Sequence, residues 1–113
     1  MQLADFKALT FDCYGTLIDW ETGIYEQLKP HFGTRADRDT LLERFAANES
    51  STQKKQPGLR YDLLLAEVFR GISKDFGEEA TEADAKKFGE SVGEWPAFPD
   101  SAAALQVLKK RYK

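Results

Sequence analysis

Phe6-Lys7-Ala8-Leu9-Thr10-Phe11-Asp12-Cys13-Tyr14-Gly15-Thr16-Leu17-Ile18-Asp19-Trp20 is the stretch whose reading decides the fold. Ala8 to Cys13 is a short apolar run rich in β-forming residues, the pattern of a strand buried on both faces of a parallel sheet. Tyr14-Gly15-Thr16 breaks the run, and Gly15 offers the backbone freedom that a tight turn at the strand's carboxyl end requires. In open α/β sheets that end is where ligands bind. The expectation is an α/β fold in which this strand is central.

Beyond Asp19 the period changes from strand to helix. Ile24, Leu28 and Tyr25 fall on one stripe of a helix that Pro30 and Gly33 bring to a close. A second helix is expected from Asp37 to Asn48, gathering Leu41, Leu42, Phe45 and Ala46. The polar segment 49–58, ending in Pro57-Gly58, reads as a loop, with Lys54 and Lys55 as solvated charges. The clearest helix is Arg60 to Phe76, where Tyr61, Leu64, Leu65, Val68, Phe69, Ile72 and Phe76 keep i, i+3, i+4 spacing before Gly77. Thr81 and Asp84 resemble a capping box for a helix reaching Val92. Pro96 and Pro99 predict an extended connector from Trp95 to Asp100. A last amphipathic helix starts with Asp100 or Ser101 as its N-cap and carries Ala104, Leu105 and Leu108. The sequence holds no internal repeat and no low-complexity tract.

The 113 residues suit one modest domain, and 42% hydrophobic with 31% charged content is ordinary for a globular chain. A net charge of −3, with no basic block beyond Lys109-Lys110-Arg111, argues against nucleic acid or an anionic membrane as partner. The single cysteine, Cys13, can form no internal disulfide, and its neighbours suggest a small buried filler. The start of the chain lacks a secretory signal, so a reducing, cytoplasmic location is expected. No apolar run approaches the roughly 18 residues that span a bilayer.

Asp12 sits just past the expected strand, where a fixed carboxylate can act as a nucleophile through a covalent ester. Thr16 can orient it with its hydroxyl. The bland alternative is an Asx turn. The run FDCYGTLIDW closely resembles the first motif of the haloacid dehalogenase superfamily, D-x-x-x-[TS] after the first strand. WPAFPDSAAALQVLKKRYK resembles that family's return from an inserted helical cap into the core. The resemblance implies a Rossmann-like α/β core with a helical cap, contributed here as one core strand and turn (1–18), the cap (19–96), and a connector with the first returning helix (97–113).

Carried over by position, Asp12 matches the nucleophile and Thr16 the hydroxyl that positions it. Superfamily phosphatases usually have a second aspartate where Tyr14 stands. Tyrosine, with a reference pKa near 10, cannot replace that acid and base near neutral pH. The sequence is therefore similar to the type II 2-haloacid dehalogenase branch, which works on a small carboxylate without a metal or other cofactor. Trp20 is placed to wall the site or to pack cap on core. The branch's halide-receiving cap arginine aligns near Leu42, making Arg44, two residues on, the candidate and Arg60 a second. His31, beside Pro30, reads as a surface residue.

The family's further catalytic residues, a Ser or Thr after the second strand, a lysine and later acidic or Asn residues, have no counterpart here. The expectation is a truncated chain with nucleophile and cap but no turnover. Two other readings stay open: an Mg²⁺-dependent phosphatase of small phosphoesters, and a non-catalytic helical interaction module whose apolar stripes pair, for instance in a homodimer.

Overall fold

A computed structural model describes the whole chain, Met1–Lys113. It contains five α-helices: α1 Trp20–Phe32, α2 Arg38–Lys55, α3 Tyr61–Asp75, α4 Glu82–Glu90 and α5 Ser101–Lys109. Short 3₁₀ turns occupy Leu3–Asp5 and Ser91–Glu94. Three of the helices begin where a side chain satisfies an orphan N–H of the first turn. Asp19 accepts from Thr22 N–H at 3.2 Å, Asp37 from Thr40 N–H at 2.9 Å, and Thr81 from Asp84 N–H at 3.1 Å. The Thr40 bonds also hold the Asp37 carboxyl below its ordinary range.

The stripe of α3 organises the core. Leu64, Leu65, Val68, Phe69 and Ile72 are buried, and α3 is covered by Leu41 and Phe45 of α2, Ala85 and Phe88 of α4, and Ile24, Leu28 and Phe32 of α1. Phe69 lies 5.8 Å from Phe32 and 5.4 Å from Phe88 between ring centroids, so one aromatic joins three helices. Burying each such side chain contributes roughly 1.5–3 kcal/mol. Gly89 lets α4 approach α3 closely, since a Cβ there would stand 2.2 Å from the Asp62 carbonyl oxygen.

The expected α/β fold is overturned: the chain is all-helical and contains no strand. Ala8 to Cys13 has the composition of a strand but no neighbours to pair with. From Thr10 to Asp12 neither backbone N–H nor C=O makes a hydrogen bond within the protein. A strand buried on both faces needs partners on both edges; here Phe11 is 46% exposed and Cys13, expected to be a buried filler, is exposed too. Bridge pairing is confined to two isolated contacts, Tyr14 with Ile18 and Ile18 with Ala97.

A second difference is the length of α2, which runs through Lys55 instead of ending at Asn48. Glu49, Gln53 and the two lysines are good helix formers, and polarity alone does not stop a helix. The Thr52 hydroxyl donates to the Asn48 carbonyl at 2.8 Å and Gln53 Nε2 to Glu49 Oε1 at 3.2 Å, both i to i+4 bonds that support the extension. Asn48 itself donates to Asp75 of α3 at 2.9 Å.

The chain enters and leaves the four-helix body at one place. Asp19 N–H donates to Pro96 O at 2.8 Å and Phe98 N–H to Leu17 O at 3.0 Å. The Ser101 hydroxyl adds a bond to the same Leu17 carbonyl at 2.7 Å instead of capping its own helix. Outside this clasp, the N-terminal segment and α5 stand away from the body. The radius of gyration is accordingly 17.2 Å, against about 13 Å for a compact chain of this length. No helix is long and apolar enough to cross a membrane.

Candidate active site

The turn after Asp12 is tightly built. The Cys13 carbonyl accepts from the N–H groups of Thr16, Leu17 and Ile18 at 3.2, 2.8 and 3.0 Å, and Gly15 N–H donates to Ile18 O at 2.9 Å. Gly15 adopts φ +87°, a left-handed conformation that a residue with a Cβ rarely takes. The turn brings Thr16 back beneath Asp12, and the Thr16 hydroxyl donates to Asp12 Oδ2 at 2.9 Å. Asp12 Oδ1 accepts no hydrogen bond from the protein, and no lysine or arginine forms an ion pair with Asp12. Both residues are exposed.

Tyr14 points its half-exposed ring the other way, into an aromatic cluster. Its centroid lies 6.2 Å from that of Tyr61, nearly stacked, and 5.5 Å from Trp95, edge-on. Trp95 is only 6% exposed and packs against Gly23 of α1, where a Cβ would meet the indole at 2.5 Å. Its indole N–H is buried with no acceptor. Burial pushes the Tyr61 hydroxyl far above its ordinary pKa, with Glu49 and Tyr14 adding to the rise. Glu49, half-buried on α2, is raised by its own desolvation.

Trp20 opens α1. Its ring lies 6.2 Å from Phe45 in the core, and its Nε1 is the nearest atom to Gly15, 3.4 Å from where a Cβ would stand. Arg44 is not gathered at this turn: it lies on the exposed face of α2, with Nη1 3.9 Å from Asp75 Oδ2. Arg60 is occupied by Asp62, bonded through Nε and Nη2 at 2.6 and 2.7 Å, which lowers the Asp62 pKa and raises that of Arg60. His31 is exposed, edge-on to Phe69 at 5.0 Å.

Tyr61, Trp95 and Glu49 belong to the surroundings of the turn without having been singled out as site residues. Tyr61 looked like the first rung of an apolar stripe, Trp95 like part of a connector, and Glu49 like loop. Only long-range packing joins them, and local spacing carries no signal of that. No group of three or more His, Cys, Asp or Glu side chains is placed to hold a metal ion. No protein-family model matches the sequence, and a search of curated proteins finds no significant match.

Proposed function

We propose that Asp12 is the nucleophile of a haloacid-dehalogenase-type hydrolase acting on a small 2-halocarboxylate. The observation that carries this reading is the Thr16–Asp12 hydrogen bond of 2.9 Å, which orients the carboxylate and leaves Oδ1 free. Asp12 Oδ1 attacks C2, the carbon–halogen bond breaks, and halide departs with the bonding electrons. Water then adds to the Asp12 Cγ carbonyl, and cleavage of the Cγ–O bond releases the 2-hydroxycarboxylate and restores the carboxylate. Halide needs no proton to leave, which suits a tyrosine at position 14 in place of an acid. Trp20, beside Gly15, flanks the turn as a wall for the substrate's apolar part, while Tyr14 anchors the turn to Tyr61 and Trp95.

An exposed carboxylate is a weak nucleophile because water solvates it, so the reaction calls for a cover that excludes solvent. The residues gathered at the turn also include no cation to receive the halide. Slow ester formation without efficient release is therefore expected of these 113 residues by themselves. Incubation with 2-chloropropionate followed by intact-mass measurement and peptide mapping should find one 1-carboxyethyl ester on Asp12, with one chloride released per chain. Asp12→Asn should slow this by a factor on the order of a thousand or more. An unmodified wild-type chain, or the same adduct in Asp12→Asn, overturns the assignment. Mg²⁺-dependent hydrolysis of p-nitrophenyl phosphate, lost in Asp12→Asn, would transfer the nucleophile to phosphatase chemistry.

A further inference from the structure

Two indole N–H groups border the turn that carries Asp12, and neither has an acceptor. Trp95 Nε1 is buried without a hydrogen-bond partner, and Trp20 Nε1 donates to no group of the protein. An indole N–H can only donate, so each is ready for an electron-rich ligand atom. A buried donor left unmade is destabilising, and such a group calls for an explanation.

The two rings meet the same stretch of chain. Trp20 Nε1 is the atom nearest to Gly15, 3.4 Å from where a Cβ would stand. The Tyr14 ring lies edge-on to Trp95 with centroids 5.5 Å apart. The Trp95 indole also rests on Gly23, where a Cβ would meet it at 2.5 Å. Gly23 and Trp20 are three residues apart on α1 and so share one face of that helix. Both indoles therefore lie along the side of α1 that borders Tyr14 and Gly15, and Asp12 is two residues before Tyr14. The Tyr14 ring is held by aromatic contacts alone, and the residue is 47% exposed.

Charge selects the ligand. An anion present from the start is repelled by the Asp12 carboxylate. A halide produced by ester formation is not: as the bond from C2 to the halogen breaks, the bonding electrons leave with the halide and Asp12 becomes a neutral ester. Hydrolysis restores the carboxylate, and repulsion then expels the halide.

We infer that Trp20 Nε1–H and Trp95 Nε1–H receive the halide that leaves C2, the Trp95 group once the Tyr14 ring tilts aside. No proton is transferred; each N–H donates a hydrogen bond to the anion where its charge develops. This names the leaving-group site of the dehalogenase reading and rests on that reading, yet halide binding needs no turnover and is measured separately.

The chain contains two tryptophans, so its two indole N–H resonances are told apart by Trp20→Phe. The 113-residue chain and its Asp12→Asn variant, which stands for the uncharged ester state, are titrated with sodium bromide at an ionic strength held constant with sodium sulfate. Both resonances should move saturably with one shared dissociation constant, and Asp12→Asn should bind bromide about five- to tenfold more tightly than the wild type. Trp95→Phe should weaken bromide binding at Trp20 about tenfold or more, the loss of one hydrogen bond to a charged group. The shared shift is read with both tryptophans in place, so a destabilised Trp95→Phe does not remove the test. Resonances unmoved at half-molar bromide, or movement of Trp20 alone, overturn the inference. Acetate shifting both as strongly as bromide overturns it too, by giving the donors to the substrate's carboxylate. Shared bromide shifts without an Asp12 adduct from 2-chloropropionate keep the halide site and remove the nucleophile, whereas an adduct without those shifts removes the halide site alone.

Discussion

The helical body from Trp20 to Trp95 and the outer layer of Phe6–Cys13 with α5 are both rich in apolar side chains, yet they end in opposite states. The body contains all fourteen residues of the buried hydrophobic core. In the outer layer Ser101 alone is buried, while Phe6, Phe11 and Val107 stand largely exposed. Composition does not separate the two; the supply of neighbours does. An amphipathic helix finds cover from the next helix along the chain, so local order suffices. An apolar segment flanked by polar turns must wait for a partner from elsewhere.

The sharpest way to break this contrast is to truncate one phenylalanine from each region. Phe69→Ala, at the junction of three helices, should lose about 3–5 kcal/mol in chemical denaturation. Phe11→Ala should change stability by no more than about 0.5 kcal/mol. Comparable losses would mean that the outer layer is packed in solution, and the contrast would fail. Next in size, Gly89→Ala places a methyl group against the Asp62 backbone carbonyl, which cannot swing aside as a side chain would. A loss of about 1–3 kcal/mol is expected, whereas Gly93→Ala, with open space around it, should be close to neutral.

The smallest effect refines the border between the regions. Burial raises the Glu49 carboxyl above its reference value of 4.5, so its ionisation costs the folded state more than the unfolded one. Below about pH 4.5 the group is neutral in both states and carries no penalty; the penalty grows as pH rises through the raised folded value and is complete near neutrality. Glu49→Gln should therefore stabilise the protein at pH 7 and leave it unchanged at pH 4. Half-exposure limits the gain to no more than about 1 kcal/mol. Thermal melts at the two pH values check the sign, and a gain at pH 4 would refute it.

What the sequence disclosed follows the same division. The α3 stripe, the Asp19, Asp37 and Thr81 starts and the Gly15 turn depend on residues within a few positions of one another, and local spacing discloses them. The Thr16–Asp12 bond belongs to this class, four residues apart. Ala8–Cys13 misled because a strand is a statement about neighbours, and its own residues cannot supply them. The extension of α2 was hidden by reading polarity as a break when Glu, Gln and Lys favour a helix. The aromatic cluster of Tyr14, Tyr61 and Trp95 spans most of the chain and leaves no periodic trace.

The clasp between Leu17–Asp19 and Pro96–Phe98 fixes how a pull on the molecule would be distributed. Tension applied at the two ends meets these antiparallel pairs from their open side and separates them one after another, as a zip opens. The helices beyond carry no tension until the clasp has parted. The body thus hangs from the rest of the chain by one hinge-like seam, mechanically sheltered from whatever is attached outside it.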